Sequence, residues 1–145
     1  MRKPIVSIVK VGEDVEFAVR KAISLAGGLD KIVTSKSKVL VKPNIGLCDR
    51  SGTGKITDAR VTQAVTQIVL EKRPKYVIIG EGSGVGYDFP DLQDTMKAME
   101  QSGTKEAAEK LGVPVVDLNA DHHRELEIPN PLVMKSVKVA QTVLD

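Results

Sequence analysis

The sequence predicts an α/β fold: a mainly parallel sheet of about four strands flanked by helices, Rossmann-like and three-layered, with a short antiparallel extension at the carboxyl end. Three observations predict it. Short β-branched apolar runs, at 5–11, 39–41, 76–79 and 113–118, alternate with stretches whose apolar residues recur at helical spacing. Val77, Ile78 and Ile79 are apolar without alternation, as a strand covered on both faces must be. The length of 145 residues suits one domain with enough chain to bury a core, so residues 1–145 read as a single α/β unit.

Taken in order, residues 5–11 form the expected first strand. A helix follows over about 14–26, with Val15, Ala18, Val19, Ala22, Ile23 and Ala26 on its buried stripe; Glu13 or Asp14 caps it and Gly27-Gly28 ends it. The second strand, 39–41, stops at Lys42-Pro43-Asn44. The residue before a proline is kept extended, which presents Lys42 at the strand's carboxyl end. A glycine-bearing loop over 45–56 leads to a second helix capped by Thr57 or Asp58 and running to about residue 72. The third strand, 76–79, runs into Gly80-Glu81-Gly82-Ser83-Gly84-Val85-Gly86. A helix over about 90–101, a break at Gly103, a short helix over 105–111 and the fourth strand, 113–118, complete the alternation. Beyond residue 124 the pattern changes to two short antiparallel segments around Pro129-Asn130-Pro131, then a helical start at 140–145.

Composition narrows the function classes. A formal net charge of +2 with 3% aromatic residues offers neither the basic surface nor the stacking platform of a nucleic-acid binder. No apolar stretch could span a bilayer, and the run at 5–9 is cut by Lys10 and Gly12 before it could serve as a signal sequence. The single cysteine, Cys48, excludes an internal disulfide framework and suits a reducing cytoplasm. The expected partners are therefore neither nucleic acid nor membrane.

Two phosphate-loop patterns fail on spacing. Gly80-Glu81-Gly82 opens a dinucleotide fingerprint whose third glycine should stand at 85, where the chain has valine, and Glu81 would repel a pyrophosphate. Ser51-Gly52-Thr53-Gly54-Lys55 lacks the leading glycine of a P-loop, with Asp49 in its place, and has Ile56 where serine or threonine is needed.

The carboxyl ends of parallel strands are where ligands sit in an open α/β sheet. If the strands at 39–41, 76–79 and 113–118 are adjacent, they gather Lys42, Asn44, Glu81, Asp117, Asn119, Asp121, His122 and His123 at one edge. Lys42 would contact an anionic group and Glu81 would act as acid, base or metal ligand; these two are the candidate catalytic residues. Asn44, Gly80, Gly82, Ser83 and Gly84 are the candidate ligand-binding positions, since glycine lets a ligand approach the backbone closely. The plainer alternative is that Lys42 simply pairs with Glu81 and Asn44 organises the loop behind Pro43. No metal site is expected: His122 and His123 are adjacent in extended chain and point opposite ways, so a solvated pair is the simpler reading. Cys48 reads as an inert thiol and Asp58 as a helix cap.

The succession Val-Leu-Val-Lys-Pro-Asn at 39–44, the helix opening at 57–64, Val-Ile-Ile-Gly-Glu-Gly at 77–82 and Val-Val-Asp-Leu at 115–118 resembles the prokaryotic family known as domain of unknown function 362. The resemblance covers nearly the whole chain, and Lys42-Pro43-Asn44 with Gly80-Glu81-Gly82 is its most specific part. It implies a cytoplasmic protein without an assigned reaction. Some members carry a ferredoxin-like segment with cysteine-ligated iron–sulfur clusters, which implies a redox role. Members normally continue into a further strand and a block with Pro-Lys and Lys-x-His elements. The resemblance therefore implies that residues 1–145 are the N-terminal part of a longer protein, with its own C-terminal half as a partner. One cysteine cannot supply the roughly four thiolates a cluster needs, so no cofactor is expected within this chain and any iron–sulfur cluster belongs to the missing part. The expectation is the ligand-binding part of a redox-linked enzyme acting on a small anionic molecule. The competing class is a non-catalytic module that binds a small ligand or a protein through the same edge.

Overall fold

A computed structural model describes residues 4–84 and 94–145. Its centre is a parallel sheet of three strands, β1 (Lys38–Val41), β2 (Tyr76–Glu81) and β3 (Val115–Asp117), in the order β1-β2-β3. Val39 lies opposite Val77, Val41 opposite Ile79, and Gly80 opposite Val116. The adjacency on which the candidate site depends is therefore present. Around the sheet stand α1 (Val15–Leu25), α2 (Ala59–Glu71), α3 (Thr95–Gln101), α4 (Thr104–Lys110) and, at the end of the chain, α5 (Gln141–Leu144). A separate antiparallel hairpin, β4 (His123–Glu127) and β5 (Ser136–Ala140), precedes α5.

Alternation along the strands divides the apolar residues between two faces. Val39, Val41, Val77, Ile79 and Val115 pack with Val69 of α2 and Ala108 of α4, forming the main core, in which Ile79 is fully buried. Burial of such a side chain contributes about 1.5–3 kcal/mol. The opposite face carries Leu40, Ile78, Gly80 and Val116. Glycine packs best at position 80. A Cβ on it would stand 2.8 Å from Val116 Cγ1 and 2.9 Å from Leu40 Cδ1, so the neighbouring side chains close over the space a larger residue would need.

The helices begin and end where the chemistry of their termini dictates. Asp14 caps α1 by accepting from the Phe17 amide, and Asp58 caps α2 by accepting from the Arg60 amide; Glu13 and Thr57 do not. Gly27 and Gly28 end α1 with φ of 109° and 72°, a region that costs other residues more. The loop over 45–56 is pinned at its neck, where the Asn44 amide donates to Thr57 Oγ1 and the Thr57 amide to the Asn44 carbonyl, both at 2.9 Å. Its first and last residues, Ile45 and Ile56, are buried in a second apolar cluster with Ala98 and Met99 of α3.

One expected element does not form. Residues 5–11 take no regular structure, with Ile5 61% and Ile8 91% exposed, so the parallel sheet has three strands rather than about four. β-Branched composition makes a segment fit for a strand, but a strand forms only where the segment is brought alongside a sheet edge, and 5–11 is paired with neither outer strand, β1 or β3. Here Ser7 instead donates its hydroxyl to the Ala22 carbonyl of α1, at 2.7 Å. α1 in turn packs on α2, where Arg20 holds Glu71 through two hydrogen bonds of 2.9 and 2.5 Å. The expected start of the helix at 90, and the loop positions Val85 and Gly86, lie outside the described residues; the helix itself is described from Thr95.

Candidate functional site

β1 ends at Val41, and the extended Lys42 projects its side chain toward the end of β2. Lys42 Nζ donates to Glu81 Oε2 at 2.9 Å. The partners are unequal: the Glu81 side chain is 4% exposed and that of Lys42 is 53% exposed. The second carboxylate oxygen, Oε1, accepts from the Gly82 amide at 2.8 Å, so both oxygens of Glu81 are engaged. A buried carboxylate needs such partners, because desolvating an unpaired charge costs several kcal/mol. The ammonium group has three N–H donors and faces water, so it keeps capacity for a second partner.

Behind the pair, the backbone turns through Gly82 and Ser83. The Ser83 amide donates to Thr95 Oγ1 at 3.3 Å, and Asn119 Nδ2 donates to the Ser83 carbonyl at 2.8 Å. Gly82 runs directly beneath Asn119: a Cβ there would lie 2.7 Å from Asn119 Oδ1. Asn119 is held by its own amide, which donates to Asp117 Oδ1 at 2.8 Å. The end of β2, the turn after β3 and the start of α3 thus meet at one place.

Of the expected site residues, Lys42, Glu81, Gly82 and Ser83 are brought together. Gly80 lies one residue deeper, and its bare Cα serves packing between strands. Gly84 is exposed with open space at its Cβ position. Asn44 is exposed, and its backbone closes the neck of the 45–56 loop. Asp117 serves a turn, and Asp121 joins its own loop to the start of α5. Asp117 accepts from the Asn119 amide, and Asp121 accepts from the amides of His122 and Thr142 at 2.8 Å each. His122 and His123 are exposed, and His123 opens β4. Thr95 was not legible as a site residue: it follows Asp94, an ordinary helix cap, and its link to Ser83 is tertiary.

No three His, Cys, Asp or Glu side chains among the described residues are grouped to hold a metal ion. Burial, followed by the charge of Asp94, pushes the Cys48 thiol above its ordinary value, which disfavours the thiolate that reactivity requires. As the chain's one cysteine, Cys48 cannot build the thiolate set of an iron–sulfur cluster, so the residues present do not fit that group.

Hollows also lie elsewhere among the described residues, and two of them border the sheet and its helices. One of about 460 Å³, between α1 and α2, is lined by Glu13, Asp14, Glu16 and Arg60; the other, of about 300 Å³, lies over Leu40, Ile78 and Val143. Among the charged groups of the first, Asp14 is committed to its helix cap, Glu16 to Arg20 and Arg60 to Asp58 at 2.8 Å. The strand-end site is preferred because it joins a half-exposed cation to a buried, fully engaged carboxylate.

In open parallel α/β sheets ligands sit outside the strand carboxyl ends, and the polar groups of this chain's sheet converge at that edge. No helix among the described residues is long and apolar enough to cross a membrane. The chain belongs to the family described as domain of unknown function (DUF362), whose model matches residues 39–145. That span runs from β1 through α5 and includes Lys42, Glu81 and Asn119. No curated protein and no solved structure matches the chain.

Proposed function

We propose that this chain is the ligand-binding part of a cytoplasmic, redox-linked enzyme that takes a small anionic molecule at the carboxyl edge of a Rossmann-like sheet. The redox link rests on the family resemblance alone, and no step is assigned to it. The observation that carries the binding site is the pairing of half-exposed Lys42 with buried Glu81 at 2.9 Å. Glu81 fixes the ammonium at the mouth of the sheet, and the remaining N–H donors of Lys42 meet an anionic oxygen of the ligand. The Gly82–Ser83 backbone forms the adjacent wall. A lysine held as the ammonium by Glu81 can also stabilise a developing negative charge on the ligand electrostatically.

One observation favours the non-catalytic reading of the same edge. Both oxygens of Glu81 are occupied and the side chain is almost wholly buried, so it offers no free base to a ligand. In that reading Lys42 binds and nothing reacts.

Calorimetric titration of the protein with acetate, oxalate and inorganic phosphate tests the binding site. A charge-assisted hydrogen bond contributes about 1.5–3 kcal/mol, so Lys42→Ala should weaken the bound anion by roughly 10- to 100-fold. Binding of equal strength in wild type and Lys42→Ala would remove Lys42 from the site. Failure of all three anions to bind wild type would remove the small-anion reading.

A further inference from the structure

We infer that Asn119 is a positioning residue that fixes the Gly82 amide and, through it, the carboxylate of Glu81 behind Lys42. The inference rests on the reading of the Lys42–Glu81 pair as the ligand site, and concerns how that site is held in shape.

Glu81 has two anchors, and only one of them is a side chain. Lys42 is half exposed and flexible along its stem, so it cannot by itself orient a carboxylate. The other anchor is the Gly82 N–H, which lies in the peptide plane between residues 81 and 82 and is held from its far side by the turn through Gly82 and Ser83. Asn119 governs that backbone on two sides. Its Nδ2 draws the Ser83 carbonyl to 2.8 Å, and its Oδ1 occupies the space where a Cβ of residue 82 would lie. Thr95 completes the clamp by accepting from the Ser83 amide at 3.3 Å and lying 3.5 Å from Asn119 Nδ2. Asn119 is itself fixed by the Asx turn on Asp117. Glycine at 82 is then explained by contact rather than conformational freedom: a Cβ there would press on Asn119 Oδ1 at 2.7 Å and push the clamping amide aside. Asn119 is separated in sequence from Lys42 and Glu81, and it acts on the ligand only through them.

The test is nuclear magnetic resonance of the Gly82 amide in wild type, Asn119→Asp and Thr95→Val. Asn119→Asp keeps the shape of the side chain but has no donor for the Ser83 carbonyl. The Gly82 proton of wild type should resonate downfield, as an amide bonded to a carboxylate does, and should move upfield in Glu81→Gln. In Asn119→Asp it should move upfield and exchange with solvent roughly tenfold faster, as loss of one hydrogen-bonded clamp predicts. Thr95→Val, which leaves the principal clamp in place, should shift it less in the same direction. Ile68→Val, a core change on α2, should leave the resonance where it is, which separates positioning from general destabilisation. Anion binding should fall in Asn119→Asp in proportion to the change at Gly82. A Gly82 amide that behaves as in wild type in both clamp variants overturns the positioning role. Unchanged anion binding in Lys42→Ala, with the Gly82 amide displaced in Asn119→Asp, overturns the ligand reading and leaves the clamp standing.

Discussion

Removing the two members of the Lys42–Glu81 pair should cost different amounts, because burial is so unequal. At 2.9 Å the gross Coulomb attraction is about 6 kcal/mol for an effective dielectric constant of about 20. Much of it offsets the desolvation of Glu81, and the exposure of Lys42 to solvent weakens it further. Lys42→Met keeps the aliphatic stem but leaves a buried carboxylate with the Gly82 amide as its one remaining partner among those described. Breaking a fully buried pair costs about 3–5 kcal/mol, and the half-exposed lysine reduces this to about 2 kcal/mol. Glu81→Gln leaves a solvated ammonium and retains an oxygen to accept from Gly82, so it should cost about 1 kcal/mol or less. Urea denaturation of both variants and of the double variant gives each cost and the coupling. Thermal unfolding should drop by about 4–8 °C for Lys42→Met, given about 2–4 °C per kcal/mol for a chain near this size. Equal costs for the two single variants, or a cost below about 0.5 kcal/mol for Lys42→Met, would refute the picture of a buried carboxylate dependent on its lysine.

Gly80→Ala should destabilise by about 1–3 kcal/mol through overpacking against Val116 and Leu40, with Val116→Ala in the same chain recovering part of the loss in denaturant melts. Asp58→Ala should cost about 1 kcal/mol by removing the cap of α2. The hydrogen bond from the Arg60 side chain holds the Asp58 carboxyl below its ordinary value. That contribution is present above about pH 4, the unfolded value, and is lost as pH falls through the depressed folded value. Stability measured against pH should therefore fall less steeply below about pH 4 in Asp58→Ala than in wild type; equal slopes would contradict the assignment. Ile8→Ser should change stability by less than about 0.5 kcal/mol, since Ile8 stands in solvent, whereas a buried strand position would lose several-fold more.

Much of the fold was legible because its signals are local. Val77, Ile78 and Ile79 form a strand buried on both faces, as their unbroken apolar character requires, and the helices α1 and α2 lie within a residue or two of the expected bounds. Of the expected α1 stripe only Val15 and Ala18 are buried and Ala26 is exposed, because α1 packs chiefly on α2. Pro129-Asn130-Pro131 does separate two antiparallel segments. Residues 5–11 show the limit of such signals. Their composition matches that of the true strands, and only pairing with a neighbouring strand distinguishes them. The site divides in the same way. Lys42 is presented by the proline that follows it and Glu81 by the end of β2, both readable from neighbouring residues. Thr95 and the clamping role of Asn119 depend on hydrogen bonds to Ser83 across 12 and 36 residues of chain, and no local pattern announces them.

The most direct test of the central claim is to map, residue by residue, where a small anion binds. In a titration of labelled protein with oxalate, the account predicts that the Lys42 side-chain resonances and the amides of Gly82 and Ser83 move together along one binding curve. In Lys42→Ala the Gly82 and Ser83 movements should require roughly 10- to 100-fold more oxalate. Shifts confined to the hollow between α1 and α2, or unchanged by Lys42→Ala, would contradict it.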